Sequence, residues 1–392
     1  MTFDFPVLAD TDPKQLWLEL SPTTQSQAWQ QSESFSAPVS RWNAYLNRIA
    51  LEAFLPWLQA EYAPEARAWP NYAALPSIWE LVNGTMIVWG TTRLALLPSE
   101  TLDLSELRVP QEWVDIPELA ADYYLAVQVN PDSGWIRIWG YTTHLLLKSD
   151  GHYDPSDRTY CLDEDDLIDD LNILWVARQL CPQEPTKSAI TALPTLPQEQ
   201  ANNLLQRLGN SQITTPRLAV PFPVWGALLA HGGWRQHLYE LRLGLPEQWS
   251  LLQWLRGSVS QVAQELGWQR LEFQPSLGAA RGNQPTLAPL GVLSRQLLIA
   301  GQPYELRVIP QGDLQQRVWR FELRNDSVGE PIPRGFKLRL LTEDLQPFEK
   351  NEATATKPVD RLYIQVALEP GEGLVWEIEP TPENYDREIM RF

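Results

Sequence analysis

Gly84–Ser99 reads G-T-M-I-V-W-G-T-T-R-L-A-L-L-P-S, and fifty residues further on Gly134–Ser149 reads G-W-I-R-I-W-G-Y-T-T-H-L-L-L-K-S. Aligned without a gap, seven positions are identical: the leading Gly, the Trp-Gly pair, one Thr, two Leu and the closing Ser. An apolar run and a turn precede each copy, Ile78–Val82 before Asn83-Gly84 and Tyr124–Val129 before Pro131-Asp132-Ser133-Gly134. Asn-Gly favours positive φ at both central positions of a tight turn, and Pro-Asp-x-Gly suits a type I turn closed by a bulge glycine. The pattern predicts two related β-hairpins, each with a long second strand bent at Gly90 or Gly140. Trp89 and Trp139 hold equivalent places in the two copies, as a shared core position would.

Outward from the repeat, Trp42, Tyr45, Leu46, Ile49, Ala53, Phe54 and Trp57 recur at helical spacing and predict a helix from Pro38 to Ala60 that covers the sheet. Shorter helical fragments are expected around Pro13–Leu20 and Thr23–Gln31, a strand at Leu104–Val109 and a helical turn at Gln111–Ala120. Asp163 is the N-cap candidate for a further helix, with Leu162 and Leu167 placed as a hydrophobic staple. Residues 181–197 contain four prolines and no periodicity, the mark of a linker. Helix patterns follow at Pro197–Leu208, Pro223–Ala230, Gly233–Leu243 and Trp249–Leu266. From Gln269 the period falls to two. Candidate strands are Arg270–Gln274, Val292–Ala300, Tyr304–Ile309, Arg317–Arg324, Phe336–Leu341, Leu362–Leu368 and Leu374–Ile378, the spacing of a β-sandwich. The expected class is therefore α+β. An N-terminal domain (1–180) would hold an antiparallel sheet of two duplicated hairpins packed with helices. A Pro-rich linker (181–197), a helical middle (198–267) and a C-terminal β-sandwich-like domain (268–392) would follow.

Composition narrows the function. Of 392 residues, 44% are hydrophobic and 18 are Trp, ample material for buried cores. No apolar run approaches the ~20 residues of a membrane span, and Met1-Thr2-Phe3-Asp4 lacks the basic and apolar regions of a secretory signal. Cys161 and Cys181 bracket the predicted helix, too far apart for a disulfide, and read as separate buried thiols of a reducing, cytoplasmic compartment. Residues 1–180 carry 26 acidic and 10 basic side chains, a net charge of −16 out of −18 for the whole chain. Such a surface repels nucleic acid and favours a basic protein partner, while serving equally as a solubility device.

The most chemically loaded stretch is Asp150–Tyr160, with His152, Tyr153, Asp154, Asp157, Arg158 and Tyr160. General acid–base work needs an imidazole near a carboxylate, so His152, Asp154, Asp157 and Arg158 are the catalytic candidates. Asp-Gly and Asp-Pro-Ser-Asp are also ordinary turn formers, which makes the same residues a structured or recognition loop. Trp135 and Trp139, four apart on a strand, would share a face and could stack a sugar, or simply fill the core. The acidic run Asp163–Asp170 lacks the alternating ligands and central Gly of a calcium loop. His144, His152, His231 and His237 form no His-Glu-x-x-His, and the cysteines have no zinc spacing. With no P-loop, dinucleotide fingerprint or nucleophile elbow either, the sequence predicts no metal site and no cofactor.

The blocks Ala121-Asp-Tyr-Tyr-Leu-Ala-Val-Gln-Val-Asn130, Trp135-Ile-Arg-Ile-Trp-Gly-Tyr-Thr-Thr-His144 and Tyr153-Asp-Pro-Ser-Asp-Arg-Thr-Tyr160 resemble a cyanobacterial family catalogued as a domain of unknown function, number eighteen twenty-two. Pro216-Arg-Leu-Ala-Val-Pro221, Trp225-Gly-Ala-Leu-Leu229 and Trp234-Arg-Gln-His-Leu-Tyr239 are similar too, and Pro331-Ile-Pro-Arg-Gly-Phe-Lys-Leu338 more loosely. The resemblance implies a cyanobacterial cytosolic protein and supplies no reaction, cofactor or catalytic residue. The leading expectation is a non-catalytic protein-interaction or regulatory module. The alternatives are a hydrolase using the His152/Asp154/Asp157 loop and a carbohydrate-binding module using Trp135 and Trp139.

Overall fold

The helix Pro38–Glu61 opens on a proline, whose fixed φ and missing N–H suit a first helical position. Of the face expected from the sequence, Tyr45, Leu46, Ile49 and Phe54 are buried and Trp42, Ala53 and Trp57 only partly so, while Ala44, Leu51, Leu55 and Leu58 are buried as well. The computed structural model describes residues 14–245, 251–256, 259, 261–271, 291–311, 317–327, 329–369, 372–383 and 385–392. It is mixed α+β and divides into two compact units, one ending at Leu245 and one beginning at Pro246.

In the first unit the strands are β1 (Leu16–Glu19), β2 (Arg67–Trp69), β3 (Thr85–Trp89), β4 (Thr92–Ser99), β5 (Glu106–Pro110), β6 (Tyr123–Asn130), β7 (Trp135–Thr143), β8 (His152–Asp154) and β9 (Thr159–Asp163). One sheet runs β1-β7-β6-β4-β3-β2 and a second runs β5-β9-β8. Within the larger sheet β4 and β6 are parallel, from Leu94 beside Tyr123 to Ser99 beside Gln128, so the sheet is not wholly antiparallel. Leu16–Glu19 pairs with β7 as a strand, where a helical fragment is expected from the sequence.

Two hairpins form, but the repeat copies do not occupy equivalent places in them. In the second copy, β6 and β7 form the expected hairpin across Pro131–Gly134. In the first copy the turn falls inside the repeat, at Gly90, between β3 and β4. Ile78–Val82 supplies part of the helix Leu75–Trp79 and the turn after it, not a strand. The shared glycines explain the divergence. Gly90 has φ +53 with open space around it, as a turn needs. Gly140 lies inside β7, where a Cβ would come within 3.2 Å of Leu167, because Ile168 bridges to Tyr141 there. The last residues differ through one cap. Thr143, which replaces the Arg93 of the first copy, accepts a hydrogen bond from the Leu146 N–H (3.1 Å) and starts the helix His144–Ser149.

Asn83-Gly84 is a buried junction instead of a surface turn. Asn47, fully buried in the long helix, accepts from the Gly84 N–H (3.1 Å) and the Thr85 hydroxyl (2.9 Å) and donates to Asn83 Oδ1 (2.8 Å). The helix expected after Asp163 starts later. Glu164–Asp166 is a short 3-10 turn, the bridge to Tyr141 holds Ile168 extended, and Asp170 caps Leu171–Leu180 by accepting from the Asn172 N–H (2.9 Å).

Residues 181–197 are bound along the first unit and do not act as a free linker. Thr186 donates to Asp122 Oδ1 (2.7 Å), Lys187 to the Ala120 carbonyl (3.0 Å), and Leu196 is buried. The helices Gln198–Leu208, Phe222–Ala230 and Gly232–Leu243 belong to the same unit. Arg242 reaches Glu80 at 2.7 Å, both side chains fully enclosed, and also binds Ser36 and the carbonyls of Leu208 and Ile213. A buried ion pair of this kind must be kept whole, so the helical middle cannot stand apart from the sheet.

His144, fully buried, accepts from the Ser188 N–H at Nδ1 (3.1 Å), so Nε2 carries the proton donated to the Val114 carbonyl (2.9 Å). Burial, with Lys148 and Lys187 nearby, holds its pKa below 6.5. On acidification the unfolded chain takes up this proton first. The contribution of neutral His144 to stability is therefore complete above 6.5 and is lost as the pH falls below it. An NMR titration is expected to place the His144 midpoint under 6.5; a midpoint at or above it would contradict the buried tautomer.

The second unit carries β10 (Trp268–Leu271), β11 (Val292–Ile299), β12 (Gln302–Gln311), β13 (Val318–Asn325), β14 (Lys337–Thr342), β15 (Glu352–Thr354), β16 (Arg361–Ala367), β17 (Gly373–Glu379) and β18 (Ile389–Arg391). They form the sheets β10-β11-β12-β13-β16 and β15-β14-β17-β18. Ala300 and Gly301 both have positive φ in the tight turn between β11 and β12. The helices Leu251–Arg256 and Gln261–Glu265 fall within the stretch expected to be helical, part of which lies outside the described residues. Glu388 is a buried polar node of this unit: the indole N–H groups of Trp268 (3.0 Å) and Trp376 (2.6 Å) both donate to it, and Arg295 pairs with it at 2.8 Å.

Candidate functional site

The small sheet β5-β9-β8 carries the loop singled out from the sequence. Arg108 pairs with Cys161, and Cys161 with His152, across neighbouring strands. Strand alternation therefore puts Glu106, Arg108, Thr159, Cys161, His152 and Asp154 on one face. Leu107, Val109 and Leu162 project from the other face and are buried.

Arg108 is the hub of the polar face. Its guanidinium binds Glu106 (2.6 Å), Asp154 (2.9 Å), Asp157 (2.8 Å) and the Thr159 hydroxyl (3.0 Å). Asp154 also accepts from the hydroxyl (2.6 Å) and N–H (2.9 Å) of Ser156. Those bonds, from the Ser156 hydroxyl first and Arg108 next, pull its carboxyl down to about 2. A carboxylate so stabilised is a weak base near neutral pH.

The four catalytic candidates are thus only partly brought together. Asp154 and Asp157 gather at Arg108, His152 lies on the same face near Glu106 and Cys161, and Arg158 leaves the group. Held at φ +56, it donates to the carbonyls of Arg217 and Val220. Arg217 returns bonds to the carbonyls of Asp157 and Arg158 and forms a two-pronged pair with buried Glu112 (2.9 and 2.7 Å). The remaining recognition-loop residues split from His152 as well. Tyr153 donates to Gln111 (2.9 Å), Tyr160 donates to Asp115 (2.7 Å), and Lys148 bridges Tyr160 and Asp115 at 2.7 and 3.0 Å. Asp150 closes the helix His144–Ser149 as its C-cap residue.

Sequence reading passed over Glu106 and Arg108 as site residues. The available signal was their i, i+2 spacing on a candidate strand; the matching Thr159 and Cys161 lie on β9, which the sequence did not mark as a strand. Ligand atoms of Glu106, His152 and Cys161 lie within 4.8 Å of one another, a carboxylate, an imidazole and a thiol. Both cysteines are free; Cys161 is buried, and burial pushes its thiol pKa up, whereas Cys181 is exposed and not the buried thiol expected.

Beside this face lies a cleft of about 500 Å³ between the helix Pro38–Glu61, the end of β4 and the segment 99–108. Trp42, Leu46, Leu97 and Trp139 give it an apolar lining, Glu100, Asp103 and Glu106 line it with acids, and Arg108, paired with Glu106, is the base among them. Trp139 is the residue left without a partner where the β6–β7 register shifts, and it is buried at 6% exposure. Trp135, at 8% exposure, packs its ring 4.9 Å from that of Trp17. The exposed planar platform expected of a sugar-stacking Trp135/Trp139 pair is therefore absent, because both indoles are used in packing.

A family model described as "Protein of unknown function (DUF1822)" matches residues 18–391. The chain belongs to that family. Comparison with curated proteins and with solved structures gives no match. In this DUF1822 chain, two of the motifs quoted above, Tyr153–Tyr160 and Pro216–Pro221, are the segments joined by the crossed Arg158 and Arg217 bonds. Among its described residues no helix is long and apolar enough to cross a membrane.

Proposed function

We propose that the chain is a non-catalytic protein-interaction module of a cytoplasmic regulatory system, and that its first unit receives a basic segment of a partner protein. The observation that carries this reading is the acid-lined cleft. Glu100, Asp103 and Glu106 line it, and Asp163, Glu164, Asp165 and Asp166 are exposed at the end of β9, joined to it through the Glu164 N–H bond to the Ser105 carbonyl (2.8 Å). Trp42, half-buried in the cleft wall, would accept an apolar or cationic side chain of such a segment. For the second unit we propose the sandwich expected from the sequence, supported by a single buried cluster to which Leu306 and Phe321 of one sheet and Leu340 and Trp376 of the other contribute.

The test uses the full chain as bait, followed by binding measurements with the purified partner. Reversal of two exposed acids, Asp103→Lys with Asp165→Lys, is expected to weaken binding at least about tenfold, and added salt to weaken it further. A partner indifferent to both changes, or none recovered, would remove the reading.

A further inference from the structure

We propose that Glu106, His152 and Cys161 form a site for a borderline-soft divalent cation, zinc(II) foremost. Each ligand comes from a different strand, Glu106 from β5, Cys161 from the central β9 and His152 from β8. Their donor atoms lie within 4.8 Å of one another. Tetrahedral zinc, with bonds of about 2.0–2.3 Å, sets neighbouring donors roughly 3.3–3.8 Å apart. Side-chain movements on the order of 1 Å close that gap, which one torsion of Glu106 or His152 can supply.

The donor set selects the ion class. A thiolate, an imidazole and one carboxylate suit zinc and its neighbours, whereas calcium and magnesium require shells made up of oxygen. The ligands are also available. Among the described residues the His152 imidazole makes no side-chain hydrogen bond or ion pair, and the residue is exposed. The Glu106 carboxylate is paired only with Arg108 among the described residues, and Arg108 keeps Asp154, Asp157 and Thr159 if Glu106 turns to a cation. The Thr159 hydroxyl lies 3.6 Å from the Cys161 sulfur and, by turning from Asp157, to which it donates at 2.7 Å, would donate to the thiolate that binding creates. Binding exchanges the thiol proton for the metal, so affinity rises with pH. The exposed position of His152 leaves a fourth coordination place to water. Bound there, the cation would clamp β8 and the loop after it to β5.

The experiment uses the full chain carrying Cys181→Ser, which removes the other free thiol. After treatment with a chelator it is titrated with cobalt(II), then zinc(II). One equivalent of cobalt is expected to bind with a thiolate-to-metal absorption band, and zinc to abolish the band. His152→Ala, an exposed change that the fold tolerates, is expected to lower cobalt affinity at least about 100-fold, since even outer-shell changes cost about 10–100-fold. Absence of the thiolate band, or a smaller loss in His152→Ala, overturns the site.

Discussion

Glu112→Ala is expected to destabilise the first unit by about 3–5 kcal/mol, the range for removing one partner of a buried ion pair. The Glu112 carboxylate is fully buried and accepts from Arg217 (2.9 and 2.7 Å) and from the Trp225 indole (2.7 Å). Alanine takes from the guanidinium the carboxylate that directly pairs with it and leaves an indole N–H with no acceptor. Burial alone would lower the Arg217 pKa, yet Glu112 and Asp157 outweigh it and hold the guanidinium charged. The loss reaches the candidate site, because Arg217 also fixes the Asp157 and Arg158 carbonyls. Hydrogen exchange should therefore quicken in residues 157–160. The double change Glu112→Leu with Arg217→Met is expected to recover part of the deficit, since it removes both charges together. Urea denaturation followed by tryptophan fluorescence decides the matter: a Glu112→Ala loss under about 1 kcal/mol would mean that the pair contributes little.

How much of this was legible depends on how far apart the determining residues lie. Periodicity is local, so the helix Pro38–Glu61 and strands such as Val292–Ile299 and Gly373–Glu379 could be read within a few residues of their ends. The repeat misled because sequence identity does not encode what packs against it. Gly90 and Gly140 are the same residue in the same motif, but only Gly140 meets Leu167, a contact set by a segment outside the repeat. Asp163 looked like the cap, and Asp170 does the capping because the Ile168–Tyr141 bridge holds the intervening chain extended. The candidate site shows the same division. His152, Asp154 and Asp157 are neighbours in sequence and were visible as a cluster. Arg108, which binds Asp154 and Asp157, lies 46 and 49 residues away from them and could not be placed without the β5–β9 register. Glu112 and Arg217 are 105 residues apart, with no periodic signal to connect them.

The two glycines of the first repeat copy offer the sharpest contrast in expected stability. Gly84→Ala should cost about 2–6 kcal/mol, combining backbone strain of ~1–3 kcal/mol with overpacking of ~1–3 kcal/mol. Gly84 sits at φ +122, and a Cβ there would lie 2.5 Å from Trp113 Nε1 and 3.0 Å from Cε2. Trp113 has nowhere to retreat. It is fully buried, its indole donates to the Asn83 carbonyl at 2.7 Å, and its own carbonyl accepts from Tyr124 at 2.8 Å. On the other side Asn47 grips the Gly84 N–H, so the backbone cannot swing away without breaking that bond. Gly90→Ala carries only the left-handed backbone term of about 1–2 kcal/mol, since φ is +53 and nothing lies within 4 Å of the new methyl. Gly90→Asn should cost less still, because asparagine tolerates that conformation. Denaturation midpoints of the three variants test the placement of the turn. If Gly90→Ala proved the more damaging substitution, the hairpin would turn at Asn83-Gly84 after all, and the junction between helix, sheet and Trp113 would have to be redrawn.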